Sequence, residues 1–303
     1  MYKIPGAIFE TIRTHFSDCN TKLAHSLSQF PGIREEALDA GFIAYFQTRP
    51  GPFQVMTNWT IRYEAHYIGG ARHYGVWEVA DIGLMVIFRR NGKIVRSKLA
   101  FIQSKKLYPK NVRLIQRDPY HRQGMGRLLE TDEEHQEVVK RKEIVFDEQS
   151  KYKAFRKNSE QQVAMSSFQE RFDINMYYLF YNPLTVPHQI ITPIEAEIPA
   201  LENVIGCRIL TKDYLDEALS NYQSNYQPSY GDIKYLLPKP FTDDSHLGGW
   251  RLEYFVSDLV LGCKEGFIDD SPNFKTLMHL LEAKSSPISA AISITIDYED
   301  KPG

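Results

Sequence analysis

The chain has 303 residues, 43% of them hydrophobic and 24% charged, with a formal net charge of −2. That is enough to bury a core as one elaborated domain or two small ones, in a composition ordinary for a soluble globular protein. It excludes a membrane-spanning helix, because no apolar run approaches eighteen residues, and the three widely spaced cysteines, Cys19, Cys207 and Cys263, exclude a disulfide framework or a zinc site.

The opening MYKIPGAIFETIRTHF lacks the basic head and unbroken apolar stretch of a secretory signal, so a cytoplasmic location with reduced thiols is expected. The first thirty residues read as one or two short amphipathic helices. PGIREEALDAGFIAYFQTRPGP then predicts a helix: acids fill its first turn, Leu38, Phe42 and Phe46 fall at helical spacing, and the Pro-Gly-Pro end stops it. In NWTIRYEAHYIGG the residues Trp59, Ile61, Tyr63, Ala65 and Tyr67 alternate, the period of a strand. EVADIGLMVIFRRNGKIVRSKLAFIQSKKLYP predicts a hairpin turning at Asn91-Gly92.

From 118 the chain becomes highly charged. Its early part reads as loop, and 150–170 reads as a helix with Tyr152, Phe155, Val163 and Phe168 inward. INMYYLFYNP is a buried strand, WRLEYFVSDLVLGCKEGF a helix, and AAISITIDYED a final strand. The expected organisation is an N-terminal helical segment (1–33), a core (34–185) and a C-terminal α+β extension packed on it (186–303).

Charge is unevenly spread. Between Arg89 and Arg127 twelve Lys or Arg stand against one acid, Asp118. A local surplus of that size suits a polyphosphate-binding face, and Arg89, Arg90, Arg96, Lys98 and Lys106 are the candidate nucleic-acid-binding residues.

The hairpin carries the candidate chemistry. Asp81 opens its first strand, and Gln103 and Lys105 close its second, two residues apart and therefore on one face. A two-residue turn at Asn91-Gly92 pairs residues whose numbers sum to 183, which sets Asp81 opposite Ile102 and points Gln103 and Lys105 away from it. A three-residue loop or one bulge makes the sum even and brings the three together. A carboxylate and an amide oxygen are hard ligands suited to Mg²⁺ or Mn²⁺, so Asp81 and Gln103 are the candidate metal ligands. Lys105 would neutralise charge on a phosphate. Glu64 is the first candidate for a second acid, with Glu36 and Glu78 behind it.

Asp81 and Gln103-Ser104-Lys105, in a predicted helix, three strands, helix, strand order, resemble the PD-(D/E)xK restriction-endonuclease-like superfamily, and most of all its variants with Gln in place of the second acid, as in Mrr-type and phage-defence nucleases. The resemblance covers roughly residues 34–183. It implies an α/β fold with a mixed sheet and an αβββαβ core. It further implies a Mg²⁺- or Mn²⁺-dependent nuclease in antiviral defence, with DNA favoured over RNA as the nucleic acid cut and with a defence-complex partner or a homodimer; composition already speaks against a membrane. The chief alternative is a non-catalytic nucleic-acid-binding or scaffold subunit on the same fold. An unrelated enzyme using Glu253, Asp258 and Glu265 stands third. Tyr222, Tyr226 and Tyr230 form an aromatic string that reads as a polar loop more than a base-stacking surface.

Overall fold

The computed structural model describes residues 3–67, 79–122, 138–192, 201–237, 248–269 and 288–300. Helices α1 (Gly6–Gln29) and α2 (Glu35–Gln47) are followed by strands β1 (Phe53–Met56), β2 (Trp59–Tyr67), β3 (Ala80–Arg90), β4 (Lys93–Lys106), β5 (Asn111–Arg122) and β6 (Val138–Phe146). Helix α3 (Glu160–Phe172), strands β7 (Met176–Tyr181), β8 (His188–Thr192) and β9 (Arg208–Thr211), and helices α4 (Lys212–Ala218) and α5 (Tyr230–Ile233) come next. The remainder holds β10 (Gly248–Arg251), α6 (Leu252–Tyr254) running on as a π-helix (Phe255–Val260), β11 (Phe267–Asp269) and β12 (Ile288–Tyr298).

The fold is mixed α/β. Nine strands form one mixed sheet, ordered β1-β2-β12-β3-β4-β7-β9-β10 with β11 on β4, and β5-β6-β8 form a second sheet. Three local expectations are corrected. The N-terminal segment is a single 24-residue helix, because Ile8, Ile12, Phe16, Cys19, Leu23 and Leu27 recur as one unbroken buried stripe. VVKRKEIVF, read as part of a charged loop, is strand β6, paired with both β5 and β8. The helix predicted over 150–170 begins only at Glu160, capped by Ser159; Tyr152 and Phe155 are buried ahead of it, and Val163 is exposed.

The helices cover both faces of the large sheet. Phe46 of α2 meets Tyr63, while Phe168 of α3 meets Phe101. Tyr63 pairs through Ile294 with Val86, whereas Phe101 pairs with Gly83, so the two rings lie on opposite faces. Strand β7, parallel to β4 and antiparallel to β9, is covered on both sides, and all six of its residues are buried.

One feature of the organisation differs from expectation. β12 lies between β2 and β3, antiparallel to the first and parallel to the second. Residues 186–303 are therefore not only an extension packed on a finished core, since they supply a central strand of it. Its AAISITI run is apolar enough for the middle of a sheet, but nothing local says between which strands it inserts.

The hairpin register decides the rest. Asn91 (φ 50°) and Gly92 (φ 74°) form a two-residue turn with both residues left-handed, which glycine and asparagine tolerate best. Next to it Arg90 pairs with Lys93 and Arg89 with Ile94, the odd sum. Val95 then bulges out unpaired, and from Phe88↔Arg96 to Ile82↔Ile102 the sum is even. The bulge absorbs the conflict between what the turn dictates and what the buried faces need. Deleting Val95, which is 55% exposed, should therefore leave the pairing beyond it intact and change stability by less than about 1 kcal/mol. Denaturant unfolding checks this; a loss of several kcal/mol would mean that the bulge itself holds the register.

Candidate functional site

The paired part of the hairpin stops at Ile82↔Ile102, and just beyond it the Asp81 carboxylate reaches across to β4. Its Oδ2 accepts the Ser104 backbone N–H (2.7 Å), the Ser104 hydroxyl (2.9 Å) and the Gln103 side-chain amide. All three bonds land on Oδ2, and among the described residues none lands on Oδ1. Gln103 is buried, and its Oε1 has no hydrogen-bond partner. A buried amide oxygen with nothing to accept costs roughly 1–3 kcal/mol, and Gln169 Oε1 and Asn203 Oδ1 are unpartnered in the same way.

Two acids from α2 complete the cluster, and neither is the one expected. Glu35 Oε1 stands 3.7 Å from Lys105 Nζ, and its Oε2 accepts the Lys106 backbone N–H at 2.6 Å. Asp39, one turn further along, has Oδ2 2.9 Å from the Ser104 hydroxyl oxygen, whose single proton it shares with Asp81, and it accepts the Tyr181 hydroxyl (2.8 Å). Lys105 is buried, and among the described residues its ammonium makes no hydrogen bond beyond this ion pair. Ser104 thus bridges Asp39 and Asp81, and Glu35 faces Lys105.

Crowding these acids shifts their protonation. Burial and then the nearby Asp81 charge push the Asp39 carboxyl well above the usual aspartate range. Burial also raises Glu35, with Lys105 opposing and Asp81 reinforcing the shift. The folded protein therefore holds protons on these groups to higher pH than the unfolded chain does. Their stabilising contribution is complete below the ordinary carboxylate range and is lost as pH rises through the folded-state values. Asp39→Asn should accordingly be more stable than the wild type near neutrality, by about 1 kcal/mol, with the difference closing toward about pH 4. Denaturant unfolding in EDTA at both pH values measures it, and a variant less stable at every pH would show that the carboxylate is not strained.

Glu64 is not in this cluster. It is exposed on β2 and pairs with Ser293, which in turn pairs with Met85. That is four positions along and two strands across from Asp81, roughly 13 Å by roughly 10 Å at about 3.3 Å per residue and about 4.8 Å per strand. The insertion of β12 is what separates them. Glu36 is exposed on the outer side of α2, and Glu78 lies outside the described residues. The signal that could have singled out Asp39 is an acid inside the Leu38–Phe42 buried stripe; Glu35 lies one turn before it.

The basic residues also separate. Lys98 is buried with its ammonium on the Glu265 carbonyl, so it does not face solvent. Lys106 is buried as well, its Nζ bonded to the carbonyls of Pro31 (2.7 Å) and Ile33, and burial lowers its pKa to about 8. It ties the α1–α2 turn to the end of β4, and so positions the start of α2 with Glu35. Both are corrected as phosphate-facing residues: each long side chain lies under a covering segment and finds backbone carbonyls there. Arg89, Arg90 and Arg96 sit at the turn end of the hairpin, with Arg90 paired to Asp300 at 2.9 Å. Seven positions of β4 separate Arg96 from Gln103, roughly 23 Å at about 3.3 Å per residue.

Other sequence candidates have structural partners. Glu253 accepts the Asn20 amide (2.7 Å), Asp258 grips Arg13 (2.7 Å), and Glu265 accepts the Tyr177 hydroxyl (2.7 Å), so the three acids tie different elements together. Tyr222 and Tyr226 stack on each other at 4.2 Å, and both hydroxyls donate to Asp232, closing a loop. Cys19 and Cys207 are buried, and burial raises both thiols, so neither is a reactive thiolate.

No family model, no curated protein and no solved structure matches the chain. Among the described residues no helix is long and apolar enough to cross a membrane, and no group of three or more His, Cys, Asp or Glu side chains is placed to hold a metal ion.

Proposed function

We propose that this cluster is the active centre of a divalent-metal-dependent nuclease with a restriction-endonuclease-like core. The observation that carries the reading is the meeting of Asp81 with Gln103 and Ser104 across a hairpin whose bulge turns them to one another, with Lys105 held beside Glu35. The order α2, β2, β3, β4, α3, β7, with β7 parallel to β4, supports the likeness. β12 between β2 and β3 is a departure from that pattern.

The donor set fits Mg²⁺ or Mn²⁺. Such ions need only one or two carboxylates from the protein and keep water and substrate oxygens for the rest of their shell, so a closed cage is not required. Asp81 Oδ1 and the unpartnered Gln103 Oε1 would hold the ion. When bound, the ion supplies charge stabilisation on the scissile phosphate and a more acidic water. Glu35 stands beside Lys105 and aims its ammonium, which could neutralise a phosphoryl oxygen. The bonds from Gln103 and Ser104 fix Asp81 Oδ2, which leaves the other oxygen pre-oriented. In this reading the substrate is DNA, in a defence role that rests on the resemblance.

A second reading is favoured by one observation. Gln103 and Lys105 are only 1% and 3% exposed, so the half-buried Asp81 is the way in. A chain of this fold that binds nucleic acid without cutting it would keep such a sealed polar network. Incubating the purified protein with plasmid and linear DNA in Mg²⁺, Mn²⁺ or EDTA separates the two. Cleavage only with metal supports the nuclease. Salt-dependent binding without cleavage supports the scaffold, and neither overturns both.

A further inference from the structure

Lys98 and Lys106 are buried, so a polyanion must be met by other cations, and the chain that leaves the acid cluster carries them. Strand β5 begins six residues after Lys105, so its first residue is within roughly 22 Å of that lysine at about 3.6 Å per residue. β5 and β6 pair antiparallel, and β8 flanks β6 only from Lys142 to Phe146. Beyond Lys142, through Gln116↔Arg141 to Arg117↔Lys140, the described residues form a ribbon of two strands.

Composition changes along this ribbon. Alternate residues of β6 share a face: Phe146 and Ile144 are buried at the root, Lys142 is exposed, and Lys140 follows. The register sets Arg117 opposite Lys140 and Leu114 opposite Lys142, so three cations and no carboxylate occupy the paired positions of that face. Glu143 lies on the other face, opposite Arg113. Like charges directly opposite one another weaken a ladder, and an acid at either position would have been the stabilising choice. A polyanion laid along the ribbon turns the same repulsion into attraction.

A second group of cations stands around Tyr108, three residues past Lys105. Lys106, whose N–H is held by Glu35, and Lys153 each set an ammonium over the Tyr108 ring, at 4.6 and 5.4 Å. The Tyr108 N–H donates to the Lys151 carbonyl at 2.9 Å. Lys151 and Lys153 are exposed, whereas the neighbouring acids are engaged, Asp147 by Lys110 (3.6 Å) and Glu148 by Lys234 (2.6 Å). We propose that the ribbon and this rim form the face on which double-stranded DNA lies, Arg117, Lys140 and Lys142 gripping its phosphates and Lys151 and Lys153 holding the backbone close to the acid cluster. A two-stranded ribbon fits the major groove, and phosphate contacts fix position without reading sequence. The choice of DNA rests on the nuclease reading; the binding face itself does not require cleavage.

The test is fluorescence anisotropy of a labelled DNA duplex of about two helical turns with the whole chain, in EDTA so that nothing is cut, over a range of salt concentrations. Arg117→Gln/Lys140→Gln and Lys151→Gln/Lys153→Gln should each weaken binding about tenfold and flatten the log–log salt slope by about two. Melting curves check each fold, and the first pair should melt no lower than the wild type, since it relieves opposed charges. Lys3→Gln/Lys93→Gln removes the same charge from exposed positions, Lys93 lying thirteen positions of β4 from Lys106, roughly 43 Å at about 3.3 Å per residue, and should leave binding within about twofold. Binding of this pattern without cleavage in Mg²⁺ or Mn²⁺ would count against the nuclease reading and for this face. No duplex binding at low salt, tighter binding of the single strand, or an equal loss in Lys3→Gln/Lys93→Gln would each overturn the proposal, whatever the nuclease activity.

Discussion

Replacing Asp81 with asparagine is expected to reduce Mg²⁺-dependent plasmid cleavage on the order of 10³-fold while leaving the fold intact. Asparagine keeps an oxygen that can accept the Ser104 N–H, so the splayed end of the hairpin should hold. What it loses is the charge on the oxygen that would face the ion. Lys105→Met should cost a similar factor for a different reason, the loss of a compact cation beside the phosphate. Lys105→Arg should restore little, because a broad planar guanidinium does not replace a compact ammonium on a side chain this buried. Initial rates on supercoiled plasmid, beside circular dichroism of each variant, measure all three. Wild-type rates in Asp81→Asn and Lys105→Met would remove the assigned residues from the chemistry even if the chain cuts DNA.

Gln103→Glu carries the second large effect, and its sign depends on metal. In the wild type the amide donates to Asp81 and adds no charge to a site that already holds Glu35, Asp39 and Asp81. Glutamate removes that donor and sets a fourth carboxylate among them. Without metal the variant should lose about 2–3 kcal/mol of stability, the scale of a broken buried hydrogen bond to a charged group with repulsion added. With Mn²⁺ or Mg²⁺ that loss should largely reverse, since an ion that binds only the folded chain stabilises it by mass action. Melting curves in EDTA and in increasing Mn²⁺ give both numbers. Equal melting shifts on metal addition for wild type and variant would show that Asp81 and position 103 do not share an ion. On the proposed reading the neutral amide would be a compromise, keeping a buried acid cluster foldable in the absence of an ion.

These expectations rest on a site only partly legible in the sequence. Asp81, Gln103 and Lys105 could be selected because a polar group at the end of an apolar strand is conspicuous, and the strand period states which of them share a face. The companion acids could not be selected the same way. Glu64 sits in a strand that would adjoin β3 if chain order set sheet order, and β12, more than 200 residues later, takes that place. Glu35 and Asp39 were hidden because acids in the first turns of a helix are commonplace, favoured by the helix dipole alone. Lys98 and Lys106 read as surface charge and proved to be buried, because what covers them comes from distant parts of the chain: the turn before α2 lies over Lys106, and the Glu265 segment lies over Lys98.

By itself the sequence determined the local elements: the stripe of α1, the alternation of β2, the Asn91-Gly92 turn and the all-apolar β7, each governed by periods of two or 3.6 and by the φ preferences of single residues. Only the tertiary structure decided where those elements meet. The side of the sheet that Gln103 and Lys105 face was set by Val95 bulging out so that the buried faces of β3 and β4 could match, a choice made by burial over the whole strand pair rather than by the turn. Short-range preferences act over a few residues, whereas register, insertion of a late strand and burial of a lysine are settled by the free energy of the complete core.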